Sequence, residues 1–238
     1  MRIGRIVVGL VALPLAAGCM VVVDGAAHPA PRLAPRPLVG HAVNRALLDE
    51  GELAKLVGQY FKSKPESPPR FGGGDQLYDV HAAPSGCAGV VFELQKSSYG
   101  TADVQNIAQQ TWWTAGIRGA KVISVVESVV AVPTGAAADA VFAGFIQQWD
   151  GCNGTTVTSD FGIGHPVSAA ISDVRAANSV LAATVQSHFV TTVISARAVG
   201  VRANCVVEVD VAFFSDNKPD GTAVDIAHAM MDKVSSLS

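Results

Sequence analysis

Charge and aromatic rings are both scarce in this chain of 238 residues, at 16% and 6%. Yet 49% of the residues are hydrophobic, so Val and Ala must build the interior, and a disordered chain is excluded. Basic clusters are missing. The balance is 17 Lys and Arg against 20 Asp and Glu, a net charge of −3, so no nucleic-acid footprint and no nucleic-acid partner is expected. No apolar run reaches the roughly 20 residues of a membrane-spanning helix. The six histidines are His28, His41, His81, His165, His188 and His228. None forms an H-x-x-x-H pair or lies beside a cysteine at ligand spacing, so no metal and no cofactor is expected. A G-x-S-x-G elbow is absent. The glycines Gly72, Gly73 and Gly74 are not followed by the Lys-Ser/Thr that a phosphate loop requires. No residue is therefore assigned a catalytic role, and a non-catalytic protein is expected.

The N-terminus has the form of an address. Arg2 and Arg5 precede an apolar stretch, Ile6 to Ala17, of about twelve residues, the length of a signal-peptide core. Leu15-Ala16-Ala17-Gly18 then precedes Cys19. Small residues before a cysteine resemble a bacterial lipobox, although its usual Leu, three places before the cysteine, is here Ala16 with Leu15 one step earlier. The reading is a lipoprotein signal over 1–18 and acylation of Cys19, which fixes the protein on the outer face of the cell membrane. Stable anchoring needs two or more acyl signals. The segment 19–42, with Pro29, Pro31, Pro35 and Pro37, has the composition of an extended tether. The domain proper spans 43–238, about 200 residues, enough for one well-cored unit.

Within that domain the segment Ala140 to Val157 is the organising stretch. Phe142, Phe145, Ile146 and Trp149 recur at helical spacing. Asp150 and Gly151 end the helix, the glycine being suited to a left-handed turn. Cys152 and the β-branched run Thr155 to Thr158 follow. Cys205 lies in a strand whose alternate residues, Cys205, Val207, Val209, Val211 and Phe213, share one face. It reads as a small buried hydrophobe, which leaves Cys87 to pair with Cys152 and to close a loop stabilising by about 4 kcal/mol on the chain-entropy model.

The remaining pattern predicts a helix over Asn44–Val57, a loop over Lys62–Gly74, a short strand over Gly89–Gln95 and a helix over Tyr99–Thr114. Ala120–Val132 reads as two strands turning at Glu127-Ser128, and Pro133-Thr134 opens the central helix. Phe161–Pro166 is a loop. Val167–Val174 is ambiguous, and Ala176–Thr184 is either strand or helix. Thr184–Val201 and Arg202–Phe214 read as long antiparallel strands turning near Gly200. Thr222–Leu237 is a final helix. The fold class is α+β, a mainly antiparallel sheet packed by helices in one disulfide-stapled domain.

Three residues are candidates for a ligand cleft. Trp112 and Trp113 cannot face the same way, so Trp113 either lines a groove or covers a helix end. Glu208 and Asp210 share the strand face opposite Cys205. They serve proton transfer or cation binding, or simply decorate a wet outer face.

The lipid tether, the early cysteine, the helix entry at Pro133-Thr134-Gly135, the W-x-x-C of Trp149 and Cys152, and the strand Asn204 to Val211 before a C-terminal helix occur in a fixed order. In that order they resemble the PknH-type extracellular sensor domains of mycobacterial serine/threonine kinases, a family that includes free-standing lipoproteins. The resemblance runs from about Asn44 to Val234. It implies an α/β fold with a cleft that binds an unidentified ligand, and no catalysis. It also implies two disulfides, of which only Cys87–Cys152 has a counterpart here, since no cysteine lies near Ser195. The expected function is a cell-envelope lipoprotein whose domain binds a small molecule or an envelope protein. A structural or assembly partner of an envelope complex, and an envelope hydrolase, are the alternatives.

Overall fold

The computed structural model describes residues 35–63, 65–114, 119–159, 166–188, 190–214 and 220–238. Cys19, the signal segment and most of the 160–166 loop lie outside these. The strands are β1 (Lys62–Ser63), β2 (Arg70–Gly72), β3 (Ala82–Ala83), β4 (Asn106–Trp113), β5 (Val122–Ala131), β6 (Thr156–Ser159), β7 (Val167–Ala177), β8 (Val180–His188), β9 (Thr192–Arg202) and β10 (Cys205–Phe213). The helices are α1 (Glu50–Val57), α2 (Ala88–Val91), α3 (Lys96–Tyr99), α4 (Gly135–Asp150) and α5 (Thr222–Leu237). The strands form one antiparallel sheet in the order β1-β4-β5-β10-β9-β8-β7-β6-β3, with β2 also paired to β4. The α+β class and the mainly antiparallel sheet are as expected from the sequence.

Both faces of the sheet carry a core. On the first, Val207, Val209 and Val211 of β10 and Val125 and Val129 of β5 pack with α5 through Ile226, Met230 and Met231, and with Leu53 of α1. On the second, Val206, Val130, Ile107 and Val199 meet α4 through Phe142, Phe145 and Trp149. Central strands covered on both sides lose the alternation that marks a half-buried strand. That is why Tyr99–Thr114 is misread as a helix: its Gln109 and Gln110 are both buried, one on each face of β4. For the same reason Glu127 and Ser128 do not turn the chain. They sit fully buried inside the single ten-residue strand β5.

Three further corrections follow from local chemistry. The predicted helix at Asn44 is a 3-10 segment (Gly40–Ala46) followed by α1, because Asp49 and Glu52 form a reciprocal capping box that starts a new helix. Gly89–Gln95 is not a strand but begins in α2, tied to the end of α4 by the neighbouring disulfide and to the sheet by polar bonds described below. The loop Lys62–Gly74 contributes the two short edge strands β1 and β2. The ambiguous stretch 167–184 resolves as the hairpin β7–β8, whose two-residue turn holds Asn178 and Ser179 at φ 52° and 61°, the backbone of a type I′ turn.

The β9–β10 turn falls at Ala203-Asn204, with Ala203 at φ 50°, and not at Gly200. Gly200 serves packing: a Cβ there would stand 2.5 Å from the Met231 sulfur of α5. Asn204 fastens the start of the domain. Its amide oxygen accepts from Leu38 N–H at 2.7 Å, and its amide nitrogen donates to Leu38 O at 2.9 Å and Val132 O at 2.7 Å.

In α4 the Thr134 hydroxyl oxygen accepts from Ala137 N–H at 3.1 Å, the N-cap that Pro133-Thr134 announces. Trp149 is fully buried and meets Phe145 edge-on at 6.4 Å. Cys152 N–H donates to Trp149 O at 3.0 Å, and Cys87 and Cys152 are bonded. Gly151 is right-handed at φ −65°. The left-handed residue is Gly154 at φ 79°, so the helix unwinds through Cys152 and does not stop short of it.

Candidate functional site

The second sheet face changes character along its length. Near α4 its cross-strand row is apolar: Ile107, Val130, Val206, Val201. Moving away from α4, the next rows read Gln109-Ser128-Glu208, then Thr111-Val126-Asp210-Arg197, then Trp113-Ser124-Ala212-Ser195. Glu208, Asp210 and Trp113 therefore share one face. Trp113 stands two strand spacings, roughly 10 Å, from β10. Thr111, Trp113, Val126, Asp210 and Ser195 are all half-buried, so this end of the face is partly open to solvent.

Arg197 organises it. Sequence reasoning passed over this residue, whose signal is a lone cation in the apolar strand ISARAVGV. The side chain is fully buried. Its Nε donates to Val90 O at 3.1 Å, and its Nη2 to Gly89 O at 3.4 Å and Glu208 Oε2 at 3.1 Å. The guanidinium lies 5.9 Å from the Trp149 ring, within reach of a cation–π attraction. The remaining nitrogen, Nη1, is 3.6 Å from Glu93 Oε2 and has no hydrogen bond. Burial works against the Arg197 charge, but Glu208, Glu93 and Asp210 together hold its pKa above the usual value.

Glu208 is no surface carboxylate, so the wet outer face is excluded for it. Its Oε1 accepts from Leu94 N–H at 3.0 Å and from the Tyr99 hydroxyl at 2.6 Å. Burial pushes it upward, opposed chiefly by Arg197 and then by the Tyr99 and Leu94 bonds. The Tyr99 hydroxyl is driven well above its ordinary range by burial and by Glu208, and so remains a donor. These bonds fold the 88–99 segment onto the sheet beside Arg197.

Asp210 is different. It keeps partial solvent contact. Burial raises it to about 7, Arg197 pulls it down, Glu93 pushes it up, and the Ser195 hydroxyl lowers it. Its residual hydration works against that rise. Beyond it, Gln109 accepts from Arg70 Nη1 at 3.0 Å and donates to Ser128 Oγ at 3.2 Å. Arg70 also donates to the Tyr78 hydroxyl and lies over that ring at 4.4 Å. Together these groups set one buried cation against two half-buried carboxylates, Glu93 and Asp210, at the partly exposed end of this face. Such a set can bind and orient a polar ligand. Among the described residues no group of three or more His, Cys, Asp or Glu is placed to hold a metal ion.

A concavity of about 790 Å³ lies on the first face, between the 3-10 segment, α1, β2, β4 and α5. Its floor includes Trp112, whereas Trp113 points to the opposite side of the sheet. Beneath the floor Glu127 is fully buried, with Oε2 accepting from Leu48 N–H at 3.0 Å. Burial pushes this carboxyl up to about 8, against weaker pulls from Leu48, Trp112 and Lys233. The Trp112 indole lies near enough to steady the charge but outside the alignment of a formed hydrogen bond, so its Nε1 and Glu127 Oε1 both lack one.

Cys205 is reduced and fully buried on the first face, and burial pushes its thiol up to about 12. No helix among the described residues is long and apolar enough to cross a membrane.

Comparison with known proteins places this architecture. A comparison with curated proteins finds no match. Among solved structures, the extracellular domain of PknH from Mycobacterium tuberculosis superposes with a TM-score of 0.73 at 20% identity, over 85% of this chain and 100% of that one. At that identity the likeness establishes the fold. An uncharacterised Mycobacterium smegmatis protein aligns at 13% identity over 79% of this chain and 96% of its own, with a TM-score of 0.36, too low to carry any argument. The model of the PknH-like extracellular domain matches residues 38–233, most of the chain, and the protein therefore belongs to the PknH-like extracellular domain family.

Proposed function

We propose that this protein is a non-catalytic binding module of the cell envelope. Acylated Cys19 anchors it on the extracytoplasmic face, residues 19–42 act as a tether, and the domain reads a polar ligand at the open end of its second sheet face. One observation carries the binding site: Arg197 Nη1, a fully buried cationic nitrogen with no hydrogen bond, beside Glu93 and half-buried Asp210. Buried polar atoms are normally satisfied. A ligand that brings an acceptor to Nη1 and donors to the two carboxylates removes the deficit. The extended, bond-locked support behind the opening fits recognition, which needs preorganised groups.

Native mass spectrometry of protein released from its own envelope tests this reading. Wild type is expected to carry a discrete adduct, and Asp210→Asn is expected to lose it while keeping the fold. Wild-type protein without any adduct, or an adduct indifferent to Asp210→Asn, rejects the site. Anchorage is tested separately, by fractionating a Cys19→Ala strain.

A further inference from the structure

We propose that Asn153 is a site of spontaneous modification, converted to aspartate and isoaspartate through a cyclic imide with Gly154, and that strand β7 restrains the reaction in the folded protein. Asn153-Gly154 is the only Asn-Gly pair in the sequence. An asparagine cyclises on the peptide nitrogen that follows it, and glycine permits this most readily because no Cβ obstructs the approach. Both residues are exposed and stand in the turn between α4 and β6, next to buried Cys152. A side chain on residue 154 would meet nothing within 4 Å, but its φ is 79°. The left-handed backbone, and not packing, therefore places a glycine after Asn153.

The step needs water and no other reactant. The Gly154 nitrogen loses its proton and attacks Asn153 Cγ. A new N–C bond closes the imide, the bond from Cγ to the side-chain nitrogen breaks, and that nitrogen leaves with the proton as ammonia. Water then opens the imide. Attack at Cγ gives aspartate, and attack at the main-chain carbonyl gives isoaspartate. In the fold, β7 holds both reacting groups. Gly154 N–H donates to Ile171 O at 2.9 Å, which engages the nucleophile. Asn153 Oδ1 accepts from Val174 N–H at 3.4 Å, which engages the electrophile. Ile171 N–H also donates to Thr155 O at 2.9 Å. Cyclisation therefore requires the Gly154–Ile171 bond to open first, and its rate follows that local opening.

Opening here does not require a whole ladder to unzip. Among the described residues β6 pairs with β7 only over Val167–Ala170, short of Ile171 and Val174. Conversion works against reclosure. It adds a carboxylate just past the C-terminal end of α4, three residues after Asp150, where the helix dipole disfavours negative charge. Isoaspartate also inserts the side-chain carbon into the main chain between Cys152 and β6.

The experiment incubates full-length protein in mildly alkaline buffer, folded and unfolded in urea, and follows the peptide that contains Asn153 by mass spectrometry, with isoaspartate resolved by its separate elution. Hydrogen exchange of the Gly154 amide is measured by NMR under the same folded conditions. In urea, aspartate and isoaspartate are expected to accumulate at position 153. In the folded protein they are expected to form at least about tenfold more slowly, and sub-denaturing urea is expected to speed the conversion and the Gly154 exchange together. No conversion at position 153 in urea overturns the site. Equal rates in folded and unfolded protein, or a folded rate that stays constant while Gly154 exchange rises, overturns the control by β7.

Discussion

Glu127→Gln isolates the energetic weight of a single buried carboxyl. Glu127 is fully buried in β5, with one bonded oxygen, and its pKa is raised from 4.5 to about 8. Because the folded value lies above the unfolded one, the unfolded chain releases this proton first. The stability that goes with the neutral acid is complete below about pH 4.5 and is lost as pH rises to about 8. Each unit of pKa difference corresponds to about 1.4 kcal/mol, so linkage removes about 1.4 kcal/mol per pH unit across that window and about 5 kcal/mol in all. A glutamine accepts the Leu48 N–H in the same way and does not titrate. Urea unfolding of wild type and Glu127→Gln in parallel, from pH 5 to 8, cancels the titration of every other carboxylate. The variant is expected to gain on wild type by roughly 1.4 kcal/mol per unit, about 4 kcal/mol over the range. A difference that stays flat within about 0.5 kcal/mol refutes the argument, for it means that Glu127 ionises as an ordinary surface acid.

Other expectations follow from the same packing. Removing the bridge with Cys87→Ala/Cys152→Ala should cost about 2–5 kcal/mol, and Trp149→Ala about 3–5. Both act on the C-terminal end of α4, where Cys152 N–H bonds to Trp149 O. A double-mutant cycle by denaturant unfolding should therefore show sub-additivity, and strict additivity would separate them. Cys205, fully buried with its thiol pushed up to about 12, should resist alkylation in folded protein and react quickly once unfolded. Fast labelling of the native state contradicts its placement. Cys19→Ala should release the protein from the membrane fraction or leave an unprocessed precursor, and unchanged partitioning in detergent would remove the lipid from the account.

The sequence was most legible where one local signal agreed with the tertiary environment. Helix α4 has an N-cap at Thr134 and an apolar stripe at helical spacing, and helix α5 has the same stripe in Ile226, Met230 and Met231. The disulfide was legible because the alternation of β10 placed Cys205 in a sheet core. Legibility failed where burial on both faces erased the period. β4 hides two glutamines, and β5 hides a glutamate and a serine, each bonded to a partner on another element. The polar opening was half visible. Glu208 and Asp210 stood out as carboxylates on one strand face. Nothing local announced that Tyr99, Leu94 and Arg197 close over Glu208 while Asp210 stays half open. Arg197 and Glu127 draw their character from contacts that only the completed sheet assembles.

On the proposed function, the Arg197–Glu208 pair holds a ligand-reading surface rather than stabilising the fold. A buried ion pair replaced by apolar side chains of similar volume is often neutral or stabilising. The direct measurement is native mass spectrometry, beside urea unfolding, of the double variant Arg197→Met/Glu208→Leu produced in its own envelope. Unfolding stability within about 1 kcal/mol of wild type, together with loss of the adduct that wild type carries, is the predicted result. A folded double variant that retains the adduct would contradict the account.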